Sequence, residues 1–299
     1  MKNKKMYWIH ALSPLHVGTG RGMGFIDLPI AREMHTGWPF IPATSLKGAM
    51  RAKLEGNLKR KLLDIAFGSS GKDLANAGSV VFTDAKMSCL PVRSALGTFA
   101  YVTSPLVLNR INRDRIQGSG TKDPIEVPLV TNGKIVVAKN SVISLEGKKK
   151  ENTKGVVYLD DFDLEVIEHA NEWADFLADE IFDDSTWKTV FKRRFAIVGD
   201  DVFTFLSKTA TEVNTRIRID NEKGVVDKGA LWYEEAAPVD SIFQGYAWCD
   251  KIHGKGKETH AGDLFTKVCP SEPISLLLGG NISTGKGWVR IKFTGDAKA

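Results

Sequence analysis

The sequence predicts a mixed α+β fold for this chain of 299 residues. Two kinds of segment carry this prediction. In some, apolar and polar residues alternate with the period of two that is typical of strands. In others, apolar residues recur every three to four positions, as in amphipathic helices. The apolar fraction of 42% and the charged fraction of 26% are ordinary for a globular protein and exclude a chain that is disordered throughout.

Composition also limits the protein class. No apolar run approaches the ~18 residues of a membrane-spanning helix, so no membrane partner is expected. The three cysteines, Cys89, Cys249 and Cys269, are too few and too scattered for a disulfide framework. We therefore expect a soluble, cytoplasmic protein.

The formal net charge of +5 conceals an asymmetry along the chain. Residues 159–184 contribute 11 acidic residues and no Lys or Arg, so the remainder of the chain carries a net charge of +16. A basic body with one segregated acidic segment favours a polyanionic partner, and nucleic acid is the commonest. The alternative is ordinary solubilising surface charge.

The N-terminal part begins with a predicted strand over residues 6–12, which are bulky and apolar. Glycines then occupy every second position from Gly18 to Gly24, with Arg21 among them. Glycines at this density either form a mobile loop or let the backbone approach a ligand closely.

A helix is predicted next, because apolar residues recur at helical spacing from Leu46 to Leu62, with Thr44 or Ser45 as the cap. Lys47 and Arg51 lie four positions apart, on one face of its first turns. Cations oppose the helix dipole at this end, whereas a bound phosphate would satisfy both the cations and the free amides. The alternative is that both cations are solvated.

The middle of the chain is less regular. A short strand is predicted at residues 79–82 and another at 156–159, whereas residues 104–155, with three prolines and several glycines, predict an insertion with little regular structure. Within the acidic segment, apolar residues from Trp173 to Ile181 predict a helix with an acidic outer face. That face is either solvated or contacts a basic neighbour.

The C-terminal part predicts strands. Residues 213–233 alternate as a long hairpin that turns at residues 221–224 and presents Arg216 and Arg218 on one face, suited to a phosphate backbone. Residues 274–278 lead through a glycine-rich loop into a strand at 288–293. On that strand Trp288, Arg290 and Lys292 share one face, which would suit RNA.

Two further motifs fail tests of context. Residues 280–286 fit the G-x-x-x-x-G-K pattern of NTPases, but Gly287 replaces the required Ser or Thr and a strand follows instead of a helix. The glycines and Lys286 are still suited to cradle phosphates. A second pattern, formed by Cys249, His253, His260 and Cys269, has no zinc-finger spacing, so we expect no structural zinc but buried thiols and surface histidines.

Five segments together resemble the RAMP superfamily of CRISPR proteins, and within it the repeated backbone subunits of the type III-B (Cmr) effector complex. They begin with LHVGTGRGMGFIDLPIAREMHTGWPFIPATSLKGAMR and end with LLLGGNISTGKGWVRI. In chain order the segments are residues 15–51, 66–71, 79–105, 230–238 and 276–291.

The resemblance implies a single RAMP domain over residues 1–299. It would have an RRM-like (ferredoxin-like) core, insertions near 18–40 and 104–155, and a protruding β-hairpin thumb near 200–235. It also implies that several copies form a filament along a guide CRISPR RNA, with other subunits of the type III-B effector complex. The thumb would insert between the guide and a complementary single-stranded target RNA at regular intervals, exposing a target phosphate to cleavage.

In this family an aspartate in the loop before the first helix carries cleavage, and Asp27 stands at the matching position. It is the first acidic residue of the chain, among glycines and basic residues. One carboxylate suffices for Mg²⁺ or Mn²⁺ when RNA supplies phosphate oxygens. Attack by the RNA 2′-hydroxyl would leave a 2′,3′-cyclic phosphate. The alternative is an Asx turn before Pro29.

The remaining site residues follow from position and chemistry. His16 is either a general acid toward the leaving 5′ oxygen or a strand histidine with a satisfied hydrogen bond. Glu234 and Glu235 either make a second metal contact or shape the site from the thumb. Residues predicted to bind RNA are Arg21, Ser45, Lys47, Arg51, Arg216, Arg218 and Lys286.

Two other functions compete with an RNA-guided endoribonuclease. The first is a non-catalytic, guide-binding scaffold of the same architecture, in which Asp27 is incidental. The second is a ribonuclease that processes guide RNA alone, which would need histidine-centred acid–base chemistry. His16 alone makes a thin case for that chemistry.

Overall fold

A large mixed β-sheet runs through the protein in the computed structural model, with helices packed against it. The structure describes residues 3–22, 24–69, 76–119, 123–145, 155–220, 225–253 and 259–295. Within these ranges the α-helices are α1 (Ala43–Leu54), α2 (Arg60–Phe67), α3 (Pro105–Ser119), α4 (Asn171–Ile181), α5 (Ser185–Lys192), α6 (Asp200–Thr209) and α7 (Ala261–Val268).

The strands alternate with these helices along the chain, and a short 3₁₀ turn at Ile282–Thr284 precedes the last strand. They are β1 (Lys4–Ala11), β2 (Phe40–Ile41), β3 (Gly68–Ser69), β4 (Asn76–Ala77), β5 (Val81–Phe82), β6 (Ala85–Arg93), β7 (Phe99–Thr103), β8 (Lys134–Val137), β9 (Ser144–Leu145), β10 (Val156–Leu159), β11 (Phe162–His169), β12 (Phe195–Val198), β13 (Glu212–Asp220), β14 (Val225–Ala236), β15 (Ile242–Trp248), β16 (Ile274–Leu277) and β17 (Trp288–Thr294).

The main sheet has the strand order β16-β17-β1-β15-β6-β7-β12-β8-β11-β10-β9, with β2 added to β6 and β5 added to β15. Its pairs are antiparallel except for β7 with β12 and β8 with β11, which are parallel. Strands β13 and β14 form a separate antiparallel hairpin. The mixed α and β architecture predicted from the sequence is confirmed in this coarse form.

Strand β1 lies inside the sheet, between β15 and β17. Its Tyr7, Trp8 and Ile9 are all buried, although successive side chains of a strand point to opposite faces. Both faces of the sheet are therefore covered here, which is why this segment is bulky and apolar rather than alternating.

The alternation predicted for the last strand is confirmed. In β17 the side chains of Val289, Ile291 and Phe293 are buried, whereas those of Trp288, Arg290 and Lys292 on the other face are more exposed.

The hairpin predicted over residues 213–233 is confirmed as strands β13 and β14. The region near 200–235 that was assigned to the thumb is not all hairpin, because residues 200–209 form helix α6. The predicted turn at 221–224 lies outside the described residues. The hairpin's role as a thumb remains a prediction.

The single helix predicted from Leu46 to Leu62 is wrong: α1 ends at Leu54 and α2 begins at Arg60. Gly56 in the connection has a φ of +127°, which only glycine adopts readily, so the helix cannot continue through it. The predicted cap is also replaced. The first turn of α1 is held by Asp84, whose Oδ1 accepts a hydrogen bond from the Ala43 amide at 2.8 Å.

The prediction of little regular structure over residues 104–155 is wrong for residues 105–119, 134–137 and 144–145, whereas residues 123–133 contain no helix or strand, as predicted. Residues 105–119 form α3, and strands β8 and β9 belong to the main sheet. Pro105 occupies the first position of α3, where its missing N–H costs nothing. Val107, Leu108 and Ile111 are buried on one side of this helix. Pro105 therefore marks a helix start, whereas Pro124 and Pro128 lie in a segment without helix or strand.

The prediction that Arg290 and Lys292 face RNA is also wrong, because the acidic helix α4 covers that face of the sheet. Arg290 and Lys292 both form ion pairs with Asp183, the latter at 2.8 Å. Burial raises the pKa of the Asp183 carboxyl, but its hydrogen bonds with these two cations outweigh burial and lower it. The basic neighbour of the acidic segment is thus its own chain.

In the part of the chain that the structure describes, no helix is both long and apolar enough to cross a membrane. Cys249 and Cys269 are free and buried, and burial raises the pKa of the Cys249 thiol to about 11. Nothing in the described ranges groups three or more His, Cys, Asp or Glu residues into a metal cluster.

Candidate active site

Three distant chain segments meet at the base of the hairpin. The Leu28 amide donates to the Tyr233 carbonyl and the Glu235 amide donates to the Leu28 carbonyl, both at 3.0 Å. The segment of residues 27–31 also pairs with residues 15–18, since the Ala31 amide donates to the Val17 carbonyl at 2.8 Å. The second half of the glycine-rich loop is therefore anchored on both sides by backbone hydrogen bonds.

Asp27 lies at this junction with an exposed side chain. Its Oδ2 accepts a hydrogen bond from the Tyr233 amide at 2.8 Å, and its carbonyl accepts one from the Gly22 amide at 2.8 Å. Its Oδ1 has no hydrogen bond to any described residue. The side-chain bond runs to strand β14, across 206 positions of sequence, and not to an Asx turn at Pro29. The carboxylate is therefore oriented by one oxygen while the other faces outward.

His16 is buried, and its ring is fixed from one side. Its Nδ1 lies 2.6 Å from the Glu235 carbonyl oxygen, which can only accept, so Nδ1 carries a proton. A Cβ placed on Gly18 would lie 2.7 Å from Nε2, and one placed on Gly280 would lie 3.2 Å from Cδ2. These two glycines leave room for the ring. Nε2 is therefore free to carry a proton or a lone pair.

An open cavity of about 600 Å³ lies beside His16, between the start of α1 and the loop after β16. Its lining contains five glycines, Gly18, Gly20, Gly48, Gly279 and Gly280, which bring backbone rather than side chains to its wall. Ser45 lies in the first turn of α1 and also lines this cavity, and its contact with a phosphate stays a prediction. Because glycines carry no side chain, an extended ligand can approach the backbone of this wall closely.

Glu235 is buried and fully engaged. Its Oε1 accepts hydrogen bonds from Arg32 at 2.5 Å and from Thr211 at 2.9 Å, and its Oε2 accepts one from the Ile30 amide at 3.0 Å. Both carboxylate oxygens are therefore engaged within the chain. Of the two roles predicted for this residue, the structure favours shaping the site, since Glu235 ties the loop to the hairpin.

Glu234 is buried between two cations that were predicted to bind RNA. Its Oε2 accepts a hydrogen bond from Arg216 Nε at 3.1 Å, and its Oε1 lies 3.4 Å from Lys286 Nζ, an ion pair without hydrogen-bond geometry. Lys286 is only 5% exposed. Lys286 is therefore paired with a carboxylate of its own chain in this structure, and its contact with an RNA backbone stays a prediction.

Sequence alone contained a signal for one of these pairs. In the hairpin Arg216 lies opposite Trp232, which places Arg216 and Glu234 diagonally on one face. The Lys286 pair joins positions 52 residues apart, and no local pattern reveals it.

The two cations of α1 differ in their surroundings. Arg51 forms an ion pair with Asp64 at 2.6 Å and donates to the Gly68 carbonyl at 2.5 Å, so it ties α1 to α2. Lys47 has neither an ion pair nor a hydrogen bond with any described residue and is half-buried near Gly78. Burial lowers the pKa of its ammonium. Lys47 therefore lacks the internal anion that Arg51 has.

The remaining predicted RNA contacts, Arg21 and Arg218, are exposed, and each has no ion pair within the described ranges. Arg21 lies in the glycine-rich loop and Arg218 on strand β13 of the hairpin. Both positions remain open to a polyanion.

Sequence reasoning missed an aromatic pair beside Asp27. The rings of Phe25 and Tyr233 stack with centroids 5.3 Å apart and an interplanar angle of 22°. Phe25 remains 84% exposed despite this contact. The only local signal is a phenylalanine within a glycine-rich loop, where apolar side chains are otherwise unexpected.

Comparison with known proteins yields one consistent family. Residues 8–290 match the family model of the RAMP superfamily. The chain is 35% identical to the CRISPR system Cmr endoribonuclease Cmr4 of Pyrococcus furiosus, over 95% of this chain and 93% of that protein.

Solved structures agree with this result. The crystal structure of oligomeric Cmr4 from Pyrococcus furiosus superposes with a TM-score of 0.73 at 27% identity, covering 98% of this chain and 99% of that one. A chain in the cryo-EM structure of type III-B Cmr-beta bound to cognate target RNA has a TM-score of 0.73 at 24% identity, covering 97% and 96%. The second likeness concerns the fold alone.

Proposed function

Because this chain belongs to the RAMP superfamily, we propose that it is an endoribonuclease subunit of a type III-B CRISPR effector complex. In this proposal it binds a guide RNA and cleaves the complementary target RNA. The observation that carries the proposal is Asp27: an exposed carboxylate that is held by the Tyr233 amide through one oxygen and presents the other. A carboxylate fixed in this way suits the abstraction of a proton from a ribose hydroxyl.

The proposed reaction is transesterification within the RNA. Asp27 accepts the proton of the 2′-hydroxyl as the 2′ oxygen attacks phosphorus, and the bond from phosphorus to O5′ breaks. His16 in its protonated form gives a proton from Nε2 to O5′, while the Glu235 carbonyl holds Nδ1. The products are a 2′,3′-cyclic phosphate and a 5′-hydroxyl, so protons and bonds balance.

A divalent cation fits this site only if RNA contributes ligands. Asp27 Oδ1 is the exposed carboxylate oxygen of the site, since both oxygens of the buried Glu235 accept hydrogen bonds and Glu234 is paired with Arg216 and Lys286. Mg²⁺ or Mn²⁺ commonly binds one or two carboxylates together with phosphate oxygens and water. When bound there, it would supply positive charge next to the scissile phosphate.

For the guide, we assign the cavity beside His16 and the start of α1. Ser45 and the backbone of Gly279 and Gly280 line it, and Lys47 lies in the next turn of α1. A phosphate there would gain the Ser45 hydroxyl, and the Lys47 ammonium, which lies near Gly78 and outside the lining of the cavity, would bind a neighbouring phosphate of the guide. Other copies of this chain and other effector subunits are the expected protein partners, and the hairpin acts as the thumb between guide and target.

One observation favours the competing scaffold function. The hydrogen bond from the Tyr233 amide gives Asp27 a structural role that requires no chemistry. Replacement by asparagine separates the two functions, because the amide oxygen of Asn still accepts this bond but takes no proton and binds cations weakly.

The test uses the assembled complex with a labelled, guide-complementary RNA, with Mg²⁺ or with EDTA. We expect Asp27→Asn and Asp27→Ala to assemble and bind target, while cleavage falls at least about 100-fold, in the range of a lost general base. If Asp27→Asn cuts at the wild-type rate, the carboxylate is structural and the scaffold function replaces the nuclease.

A further inference from the structure

We propose that Phe25 is a positioning residue whose open ring face stacks on a nucleobase of the target RNA next to the scissile phosphate. This inference rests on the proposed function. It concerns a different feature from the Asp27 carboxylate, since Phe25 has no titratable group and does not touch the reacting atoms.

The geometry begins with a short loop that closes on itself. The Gly22 amide donates to the Asp27 carbonyl at 2.8 Å, which encloses Phe25 between them. One face of the Phe25 ring rests on Tyr233 at a centroid distance of 5.3 Å. Tyr233 is held in turn, because its amide donates to Asp27 Oδ2 and its carbonyl accepts from Leu28. The ring is therefore fixed relative to the carboxylate.

The other face of the ring is open, since Phe25 is 84% exposed. An exposed aromatic that is already oriented by a stacked neighbour is a platform for a further flat group. On the same face of the hairpin as Tyr233, the cross-strand neighbours Ile217 and Leu231 are about half exposed, at 47% and 53%. The platform thus continues as an apolar wall along the hairpin.

The ligand is a nucleobase rather than an apolar side chain for a chemical reason. A nuclease directed by base pairing meets any target sequence, so a positioning contact must not depend on base identity. Stacking meets this requirement because every base has a π-face, and it is strong enough to matter for binding. The position two residues before Asp27 places the stacked nucleotide at the cut.

The experiment measures single-turnover cleavage by the assembled complex for wild type, Phe25→Ala, Phe25→Leu and Phe25→Trp. Each is tested on an intact target and on targets with an abasic nucleotide on either side of the cut. On the intact target we expect Phe25→Ala and Phe25→Leu to slow cleavage about tenfold and Phe25→Trp to retain it. One of the two abasic targets should be cut at the same reduced rate by every variant.

A merely structural role for Phe25 predicts a different pattern. If the side chain only stiffens the loop, Phe25→Ala slows the abasic targets as much as the intact one, and the proposal is overturned. Equal cleavage of the intact target by all four proteins also overturns it. If wild type and Asp27→Asn cleave equally, the proposed function fails instead, and this outcome is visible without any Phe25 variant.

Discussion

Two groups of basic residues that the sequence assigns to RNA have opposite environments. On β17, Arg290 and Lys292 face helix α4 and are paired with Asp183. At the start of α1, Lys47 has no anionic partner within the described residues, and burial lowers the pKa of its ammonium. The comparison shows that the fold, and not the residue type, decides whether a cation is paired with an internal anion.

The cations of this chain can therefore be divided into two sets. The neutralised cations are defined as those within 4 Å of a carboxylate of their own chain, and among the residues assigned to RNA they are Arg51, Arg216, Lys286, Arg290 and Lys292. Lys47 is an open cation. Substitutions that remove one of these cations, or the carboxylate that pairs with it, test this division through their effects on stability and RNA binding.

The largest effect is expected at Lys286, the most buried of the neutralised cations. Lys286→Met leaves the Glu234 carboxylate buried with only Arg216 as its partner, and should lower the free energy of unfolding by about 3–5 kcal/mol. Urea unfolding measures this change. Combining Lys286→Met with Glu234→Gln should recover much of it. Unchanged stability together with weaker guide binding would move Lys286 to the open set.

Next is Lys47, where affinity rather than stability should change. Lys47→Met removes a charge that burial already disfavours, so stability should be unchanged or slightly higher, while guide RNA binds roughly tenfold more weakly, as expected for loss of a charge-assisted hydrogen bond. Filter binding over a range of salt concentrations measures this, and the salt dependence should become shallower. Lys61→Met, at an exposed lysine of α2, is the matched control. Equal effects of both variants would contradict a specific contact.

A smaller effect is expected when a neutralised cation is released. Asp183→Asn removes the carboxylate from Arg290 and Lys292, and because this carboxylate is half exposed, the loss should be only about 0.5–1 kcal/mol. The freed cations should strengthen binding of a non-complementary RNA. Asp175→Asn, whose partner Lys192 lies on α5, provides the control. If Asp183→Asn leaves non-specific binding unchanged, the two cations are covered by the packing of α4 and not held by the charge of Asp183, which follows this helix.

The smallest effect is a dependence on acid pH. Ion pairing lowers the folded-state pKa of Asp183 and Asp179 below the ordinary value of 3.8. Their contribution to stability is therefore complete above the unfolded-state pKa, and is lost as pH falls through the folded-state pKa. Thermal unfolding between pH 6 and pH 3 should show the gap between wild type and Asp183→Asn closing toward acid pH. A gap that is constant over this range would show that the charge of Asp183 contributes nothing.

Much of the fold follows from local pattern. Strand β17 alternates buried and exposed positions as expected, and β10 spans residues 156–159 as predicted. The predicted helix bounds were wrong where a glycine or a proline can either end or begin a helix. Gly56 ended a helix that the apolar spacing alone would continue, and Pro105 began a helix that proline content had argued against.

For the candidate site, the sequence supplied residue types but not their partners. Asp27 and His16 were identified from the loop, yet Tyr233 orients Asp27 from 206 positions away and Glu235 holds His16 from 219 positions away. Glu234 and Glu235 are adjacent in sequence, but they point to opposite faces of β14 and pair with different cations.

By itself, the sequence determined the mixed class of the fold, most strand positions, the family and the carboxylate of the glycine-rich loop. Each of these depends on residues close together in the chain or on motifs in a fixed order. Only the tertiary structure decided which cations are consumed by internal carboxylates, that Phe25 stacks beside Asp27, and which carboxylate oxygen stays open. Those properties depend on contacts between residues that are distant in sequence, and the energy of a charge or a ring is set by what is packed against it.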